Sequence, residues 1–357
     1  VPEPYFNLMP VSADEGINQL NDELDDFFEN LHEGPKKVLR ITMGSGKTTA
    51  AIAKLKQHLE DKSHQNIEIY VPRHDLAEEY VERLQEVNAH IVHVRPRTGG
   101  ADGNLPVLCQ RSDYVKSLEQ QGVGVYRNAC RSGDGDRCEF YESCDYIAQF
   151  DDPASVFDNS NIIRVFVHNY LALRRNPLQD DPSLVIIDES FFNAMVEVHD
   201  LSFRDVREHI CSDRHPDLGN EVIKLLVSGE PLLNVRRGLN VRLGDLDEIN
   251  LIPTGTGFDG VRSTALAGLS RGNTQGISQL VRQLKSELRQ RDVSHPQSIF
   301  LHANKDGNDV VRVCSRSDLQ LDTATPVLML DASADATLID GFFDHDIDLK
   351  RIDIRQN

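Results

Sequence analysis

The stretch Val38–Thr49 carries the densest chemistry in the chain: Val-Leu-Arg-Ile-Thr-Met-Gly-Ser-Gly-Lys-Thr-Thr. A short apolar run leads into a glycine-flanked turn and then into Lys-Thr at the start of a helical stretch, the composition of a phosphate-binding loop. Gly44 and Gly46 let backbone N–H groups converge on phosphate oxygens with no Cβ in the way. The helix that follows adds the positive end of its dipole. Gly44, Ser45, Gly46, Lys47, Thr48 and Thr49 then form the binding loop, with Lys47 reaching the β/γ-phosphates and the Thr48 hydroxyl on Mg²⁺. The glycine that usually stands five residues before Gly46 is Ile41 here. A ligand-free glycine turn between strand and helix is the alternative, and the intact Gly46-Lys47-Thr48 argues against it.

Such a loop needs a carboxylate partner, and Leu184-Val-Ile-Ile-Asp-Glu-Ser190 supplies one. An apolar strand ending in Asp188 and Glu189 puts one acid on the metal and a second where it can orient the attacking water. Asp188 takes the metal and Glu189 the water. A third stretch, Val327–Thr337, is again an apolar strand, followed by Asp331, Ser333 and Asp335. It reads equally as a coupling segment beside the nucleotide or as an Asp/Ser helix cap.

Cysteines form a separate constellation. Four of the six fall at Cys109, Cys130, Cys138 and Cys144, with spacings of 20, 7 and 5 intervening residues. Thiolates at such positions bind zinc or an iron–sulfur cluster. The tight Cys-x2-4-Cys pair of a structural zinc site is absent, and the wide spacings suit the spread corners of a [4Fe–4S] cube better than one tetrahedral ion. Zinc is the second choice and unligated thiols the third. Cys211 and Cys314 stand alone and read as small core residues.

Stepping along the elements, β–α alternation frames these motifs. Ile17–Leu31 has helical apolar spacing. Strands are expected at Ile67–Pro72, Ile91–Val94, Val165–Leu171, Leu184–Asp188 and Val327–Asp331, and helices at Ala50–Leu59, Leu76–Val87, Leu201–Val227 and Gly276–Leu288. Arg236–Ile252 reads as turn-rich, and Ser298–Ser315 as a hairpin about Asp306-Gly307. At 357 residues the chain has room for two or three compact units. It carries no apolar run of membrane-span length and no secretory signal, so a cytoplasmic, reducing setting and no membrane partner are expected. A start at Val1 without methionine suggests a fragment. The net charge of −19 argues against non-specific wrapping of nucleic acid, yet Arg95, Arg97, Arg111, Lys116, Arg127 and Arg131 crowd the cysteine region, interleaved with Tyr114 and Tyr126. Arg271, Arg282, Lys285, Arg289 and Arg291 form a second basic set. A solvated surface is the bland reading of both sets; a single-stranded DNA path is the sharper one. His168 reads as a satisfied polar residue near a strand end, not as a metal ligand.

The order of the P-loop, Pro72-Arg-His, four cysteines, Asp-Glu strand, long insertion and Ser-Ala-Asp resembles the XPD/DinG-type superfamily 2 iron–sulfur helicases. The match is densest from Cys144 to Phe191, where Cys144-Asp-Tyr-Ile-Ala is similar to the segment after the last cluster cysteine. Val165-Phe-Val-His-Asn-Tyr-Leu171 is similar to the strand before the Asp-Glu motif. The resemblance implies an α/β fold: a RecA-like P-loop domain with a parallel sheet, a cysteine-rich metal lobe and a mostly helical insertion. The implied domains are 1–94 and 151–192 in RecA-like domain 1, a metal lobe at 95–150, an arch-like insertion at 193–325, and the end of domain 1 at 326–357. It implies ATP, Mg²⁺ and a [4Fe–4S] cluster as cofactors, and an ATP-dependent helicase or translocase on nucleic acid, with single-stranded DNA as partner. A second RecA-like domain is expected in the full-length chain or a partner chain, because Asn357 comes too soon after Asp335 to include one. Two departures stand out: Asp188-Glu-Ser-Phe replaces Asp-Glu-Ala-His, and Ser333-Ala-Asp replaces Ser-Ala-Thr. A nucleotide-gated binding or loading module without unwinding remains as an alternative, as does a P-loop phosphotransferase with a structural zinc lobe.

Overall fold

A computed structural model of the chain describes residues 10–100, 103–120, 124–131, 135–150, 161–173, 175–176, 178–247, 271–289, 298–343 and 347–355. In chain order the elements are α1 (Ala13–Glu29), β1 (Lys36–Ile41), α2 (Lys47–Glu60), β2 (Asn66–Val71), α3 (His74–Leu84), β3 (Ala89–His93), α4 (Ser112–Gln120), α5 (Asp145–Ala148), β4 (Asn161–Val167), β5 (Leu184–Asp188) and α6 (Phe192–Met195). There follow β6 (Val196–Leu201), α7 (Phe203–His209), α8 (Leu218–Ser228), α9 (Leu233–Gly238), α10 (Arg271–Arg289), β7 (Ile299–Ala303), β8 (Asp309–Arg316), β9 (Val327–Leu330), α11 (Ala336–Phe343) and β10 (Asp348–Ile352). They group into two compact units, one within Val1–Pro96, Asp145–Met195 and Asp318–Asn357, the other within Arg97–Cys144 and Val196–Ser317.

The first unit is built on a seven-stranded parallel sheet in the order β10-β1-β9-β5-β2-β4-β3. Side chains alternate across its two faces. Leu39, Ile41, Ile67, Ile69, Ile163, Val165, Leu184, Ile186, Leu328 and Leu330 share one core with Leu20, Leu24 and Phe27 of α1, Ile52 and Leu55 of α2, and Ala77, Tyr80 and Leu84 of α3. Because Asp188 is in step with Leu184 and Ile186, the same alternation aims its side chain at α2 and α3. Helix α1 begins earlier than its apolar spacing suggests, since Ser12 caps it by accepting from the Glu15 N–H at 3.3 Å. Ile17, expected on the buried stripe, is 43% exposed.

Strand β4 lies four residues earlier than the sequence suggests. It pairs with β2 from Asn66↔Ile162 to Val71↔Val167 and ends where its partner ends. His168–Ala172 is a 3₁₀ turn rather than strand. On the opposite face of β2, Glu68 is fully buried. Arg175 grips it with two hydrogen bonds, of 3.0 and 2.7 Å, the Tyr70 hydroxyl donates at 2.8 Å, and the Gln179 amide donates as well. This pins the segment that connects β4 to β5 onto the sheet.

The second unit contains a three-stranded antiparallel sheet, β6-β8-β7, which no helical reading of the insertion anticipates. Leu201 closes β6 instead of opening a helix, and the apolar stretch to Val227 breaks into α7 and α8. The hairpin expected about Asp306-Gly307 is β7–β8, with the Asn304 side chain accepting from the Asp306 and Asn308 N–H groups. Helix α10 buries Ile277, Leu280, Leu284 and Leu288 in one core with Val206, Val222, Val311 and Val313. A Cβ at Gly276 would lie 2.7 Å from the Leu201 side chain, so glycine sets how closely α10 crosses β6. From the cysteine region, α4 packs on α10, where the Gln275 side chain donates to the Glu119 carbonyl at 3.0 Å. Of the turn-rich stretch Arg236–Ile252, residues 248–252 lie outside the described residues, as does Arg291.

Breaking one side of the buried Glu68–Arg175 pair strands a charge. Arg175→Met is expected to lower unfolding free energy by about 3–5 kcal/mol, read as a drop in the urea midpoint of the first unit's transition.

Candidate functional site

The P-loop leaves β1 at Ile41 and enters α2 at Lys47. Gly44 and Gly46 have φ of +77° and +80°, in the left-handed region where a side chain is strained, and a Cβ at either would meet nothing within 4 Å. Backbone conformation, not crowding, therefore requires glycine, and the space over the loop is open. Gly46 caps α2 without any side-chain hydrogen bond, so the first-turn N–H groups are left for a ligand.

Asp188 closes β5 and is 1% exposed. Its Oδ2 accepts from the Thr48 hydroxyl at 2.8 Å and from the Tyr80 hydroxyl at 2.8 Å. Its Oδ1 is buried and has no hydrogen-bond partner among the described residues, and the same holds for Ser45 Oγ. Burial pushes the Asp188 carboxyl above the usual carboxylate range, against the pull of Tyr80, Thr48 and Lys47. A buried carboxylate with one oxygen saturated and the other unpartnered fits a divalent cation, since an orphaned acceptor at this depth is otherwise costly. Asp188, Thr48 and Ser45 are the residues that would hold it.

Neighbouring strand ends complete the surroundings. The Glu189 N–H donates to the Leu330 carbonyl at 2.8 Å, and Glu189 itself is exposed with φ of +67°. A glutamate in that region stores about 1–3 kcal/mol of strain, the kind of outlier that gathers at functional positions. Asp331, 3% exposed, follows β9, the strand between β1 and β5. Its Oδ1 accepts from the Ser333 N–H and hydroxyl, both at 2.8 Å, while its Oδ2 is buried without a partner. His168 donates from Nε2 to the Asp188 carbonyl at 2.9 Å, and burial lowers its pKa, so it serves as a neutral structural donor. Phe191 is fully buried against Phe192, Phe342 and Phe343.

Sequence reasoning missed Tyr80 and the spare oxygen of Asp331. A tyrosine on the apolar face of a helix looks like core, and its hydroxyl partner lies 108 residues away.

In the second unit the four cysteines occupy one lobe. Cys130 is buried, and Cys109, Cys138 and Cys144 are half-buried. Burial pushes the Cys109 and Cys130 thiols up; Cys144 and Cys138 add to the rise at Cys109, and Cys109 and Cys144 to that at Cys130. The sulfurs are thus within electrostatic reach of each other. The Arg97 guanidinium donates to Cys130 Sγ at 2.9 Å, and the Arg97 carbonyl accepts from the Cys109 N–H at 3.0 Å. Among the described residues no group of three or more His, Cys, Asp or Glu side chains is arranged to hold a metal ion. Tyr126 and Tyr141 share a hydroxyl contact of 3.0 Å, and Arg111 stacks over Tyr114 at 4.7 Å, so both tyrosines of the basic stretch are engaged within the lobe. On α10, Arg282 and Arg289 are exposed.

Parallel strands β1, β9 and β5 lie side by side in an α/β sheet, with the Gly-Ser-Gly-Lys-Thr turn after the first and Asp-Glu after the last. No family model matches the sequence, and no curated protein matches it. Among solved structures the chain is similar to an XPD helicase, at 12% identity and a TM-score of 0.40, covering 93% of this chain and 61% of that one. It is also similar to an apo XPD structure, at 11% identity and a TM-score of 0.41, covering 92% and 57% respectively. The chain spans about three fifths of the length of these structures. Among the described residues no helix is long and apolar enough to cross a membrane.

Lys47→Ala is expected to weaken binding of a fluorescent ATP analogue by roughly tenfold or more, because a charge-assisted contact to phosphate is lost. The circular dichroism spectrum should stay unchanged.

Proposed function

We propose that this chain is the ATP-gripping half of a helicase or translocase on nucleic acid, working with a second RecA-like domain in the same polypeptide or in a partner. The observation that carries the reading is Asp188, buried and doubly bonded on Oδ2 with Oδ1 free, beside a P-loop whose Thr48 is one of the donors. Lys47 and the first-turn amides of α2 bind and orient the phosphates. Bound magnesium would supply charge neutralisation at the β/γ-phosphates. Glu189, exposed at the strand end, would orient and activate the attacking water. The motif order, the arginines of the cysteine lobe and the exposed basic side chains of α10 support single-stranded DNA as the substrate track, in a reducing, cytoplasmic setting.

The cysteine lobe would carry a [4Fe–4S] cluster. A cube spreads its irons over separate corners, so its four thiolates converge without meeting at a point, whereas zinc needs every ligand sulfur about 2.3 Å from one ion. The wide sequence spacings of the four cysteines suit the first requirement better. The cluster would act as a staple for a lobe with a small apolar core, in which Val115, Leu118 and Ala129 are the buried members.

Single-stranded DNA should stimulate ATP hydrolysis by the full-length protein, and Glu189→Gln should abolish that turnover while Mg-ATP still binds. DNA-independent turnover in the wild type would point to a phosphotransferase instead. Anaerobically purified protein should be brown with about four irons per chain. Serine at Cys109, Cys130, Cys138 or Cys144 should remove the colour, and serine at Cys211 or Cys314 should not. One tightly held zinc in colourless protein would replace the cluster.

A further inference from the structure

Helix α3 touches the nucleotide machinery at more than one place. Tyr80 and Arg83 are three residues apart and so share one face of the helix. The Tyr80 hydroxyl donates to Asp188 Oδ2 at 2.8 Å, and the Arg83 guanidinium donates from Nη2 to the Thr49 hydroxyl at 2.9 Å. One contact reaches the end of β5, the other the first turn of α2.

Tyr80 is 1% exposed, among Leu55, Leu59, Ala77 and Leu84. Packing alone would be met by phenylalanine, because a buried hydroxyl must find a partner or lose stability. The partner it has found is the oxygen that Thr48 already uses. With two donors on Oδ2, the carboxylate cannot rotate without breaking both bonds, and Oδ1 is left without a partner among the described residues.

Resting on the nucleotide reading above, we propose that α3 is the positioning element of the magnesium site: Tyr80 sets the orientation of Asp188, and Arg83 sets that of the P-loop helix through Thr49. Neither residue touches the reacting atoms. Both act through side chains that do, as outer-shell partners of metal ligands do elsewhere.

The test is binding of a fluorescent ATP analogue by the full chain, titrated with free Mg²⁺ and repeated in EDTA. Tyr80→Phe is expected to raise the Mg²⁺ midpoint about tenfold, with metal-free nucleotide affinity unchanged. Arg83→Met, at a part-exposed position away from the core, should move the same midpoint about threefold in the same direction. A purely structural role would weaken binding equally with and without metal. That equal loss, or midpoints in both variants that superimpose on the wild type, overturns the proposal. Wild-type protein that binds no nucleotide under either condition overturns the nucleotide reading itself, a result distinct from the other two.

Discussion

A carboxylate taken out of water at the end of a parallel strand sets the terms for the first unit. Asp188 is almost wholly buried, and burial alone would favour its neutral form. Two hydroxyl donors, one from each of two helices, offset this on Oδ2. The remaining oxygen, Oδ1, has no hydrogen-bond partner among the described residues. Everything that holds this geometry follows from the pleat: Leu184, Ile186 and Asp188 share a face, the face is covered by α1, α2 and α3, and the side chains at its strand end meet the P-loop. A one-residue slip in β5 would turn Asp188 to the opposite face and dissolve the site.

The other face shows a different solution to burying charge. Glu68 lies in mid-strand with a bidentate arginine, a tyrosine hydroxyl and an amide around it. Such a pair adds little net stability over an apolar equivalent, but it fixes where the β4–β5 connection lies. That connection leads into the Asp188-Glu189 strand end. Beyond Glu189, Phe191 has aromatic surroundings: Phe342 at 5.3 Å and Phe343 at 6.3 Å between ring centroids, both on α11. The link between the Asp-Glu segment and the helix after Ser333-Ala-Asp is therefore apolar packing. His168 donates to the backbone carbonyl of Asp188.

In the second unit the cysteine lobe and the insertion share one compact body, joined where α4 meets α10. The lobe's apolar core is small, while α10 and the antiparallel sheet have an extensive one. Gly276 and the Gln275–Glu119 hydrogen bond mark how closely the unit's parts approach.

The sequence by itself determined the P-loop, the Asp-Glu strand and the cysteine set, because each depends on residue types at short spacing. Glycine at two left-handed positions, lysine and threonine after them, and an apolar run ending in acids are local requirements, and local requirements leave local signatures. It also determined the α/β alternation of the first unit, since parallel strands buried on both faces read as continuous apolar runs. Only the tertiary structure decided the end of β4, which follows the end of its partner β2, and the antiparallel sheet of the insertion, whose exposed β6 face lacks a clean alternation. It alone showed that Tyr80 and Arg83 hydrogen-bond to Asp188 and Thr49. Those bonds join residues 34 and 108 positions apart in the chain, and a hydrogen bond across such a separation exists only once the sheet has brought its strands and covering helices together.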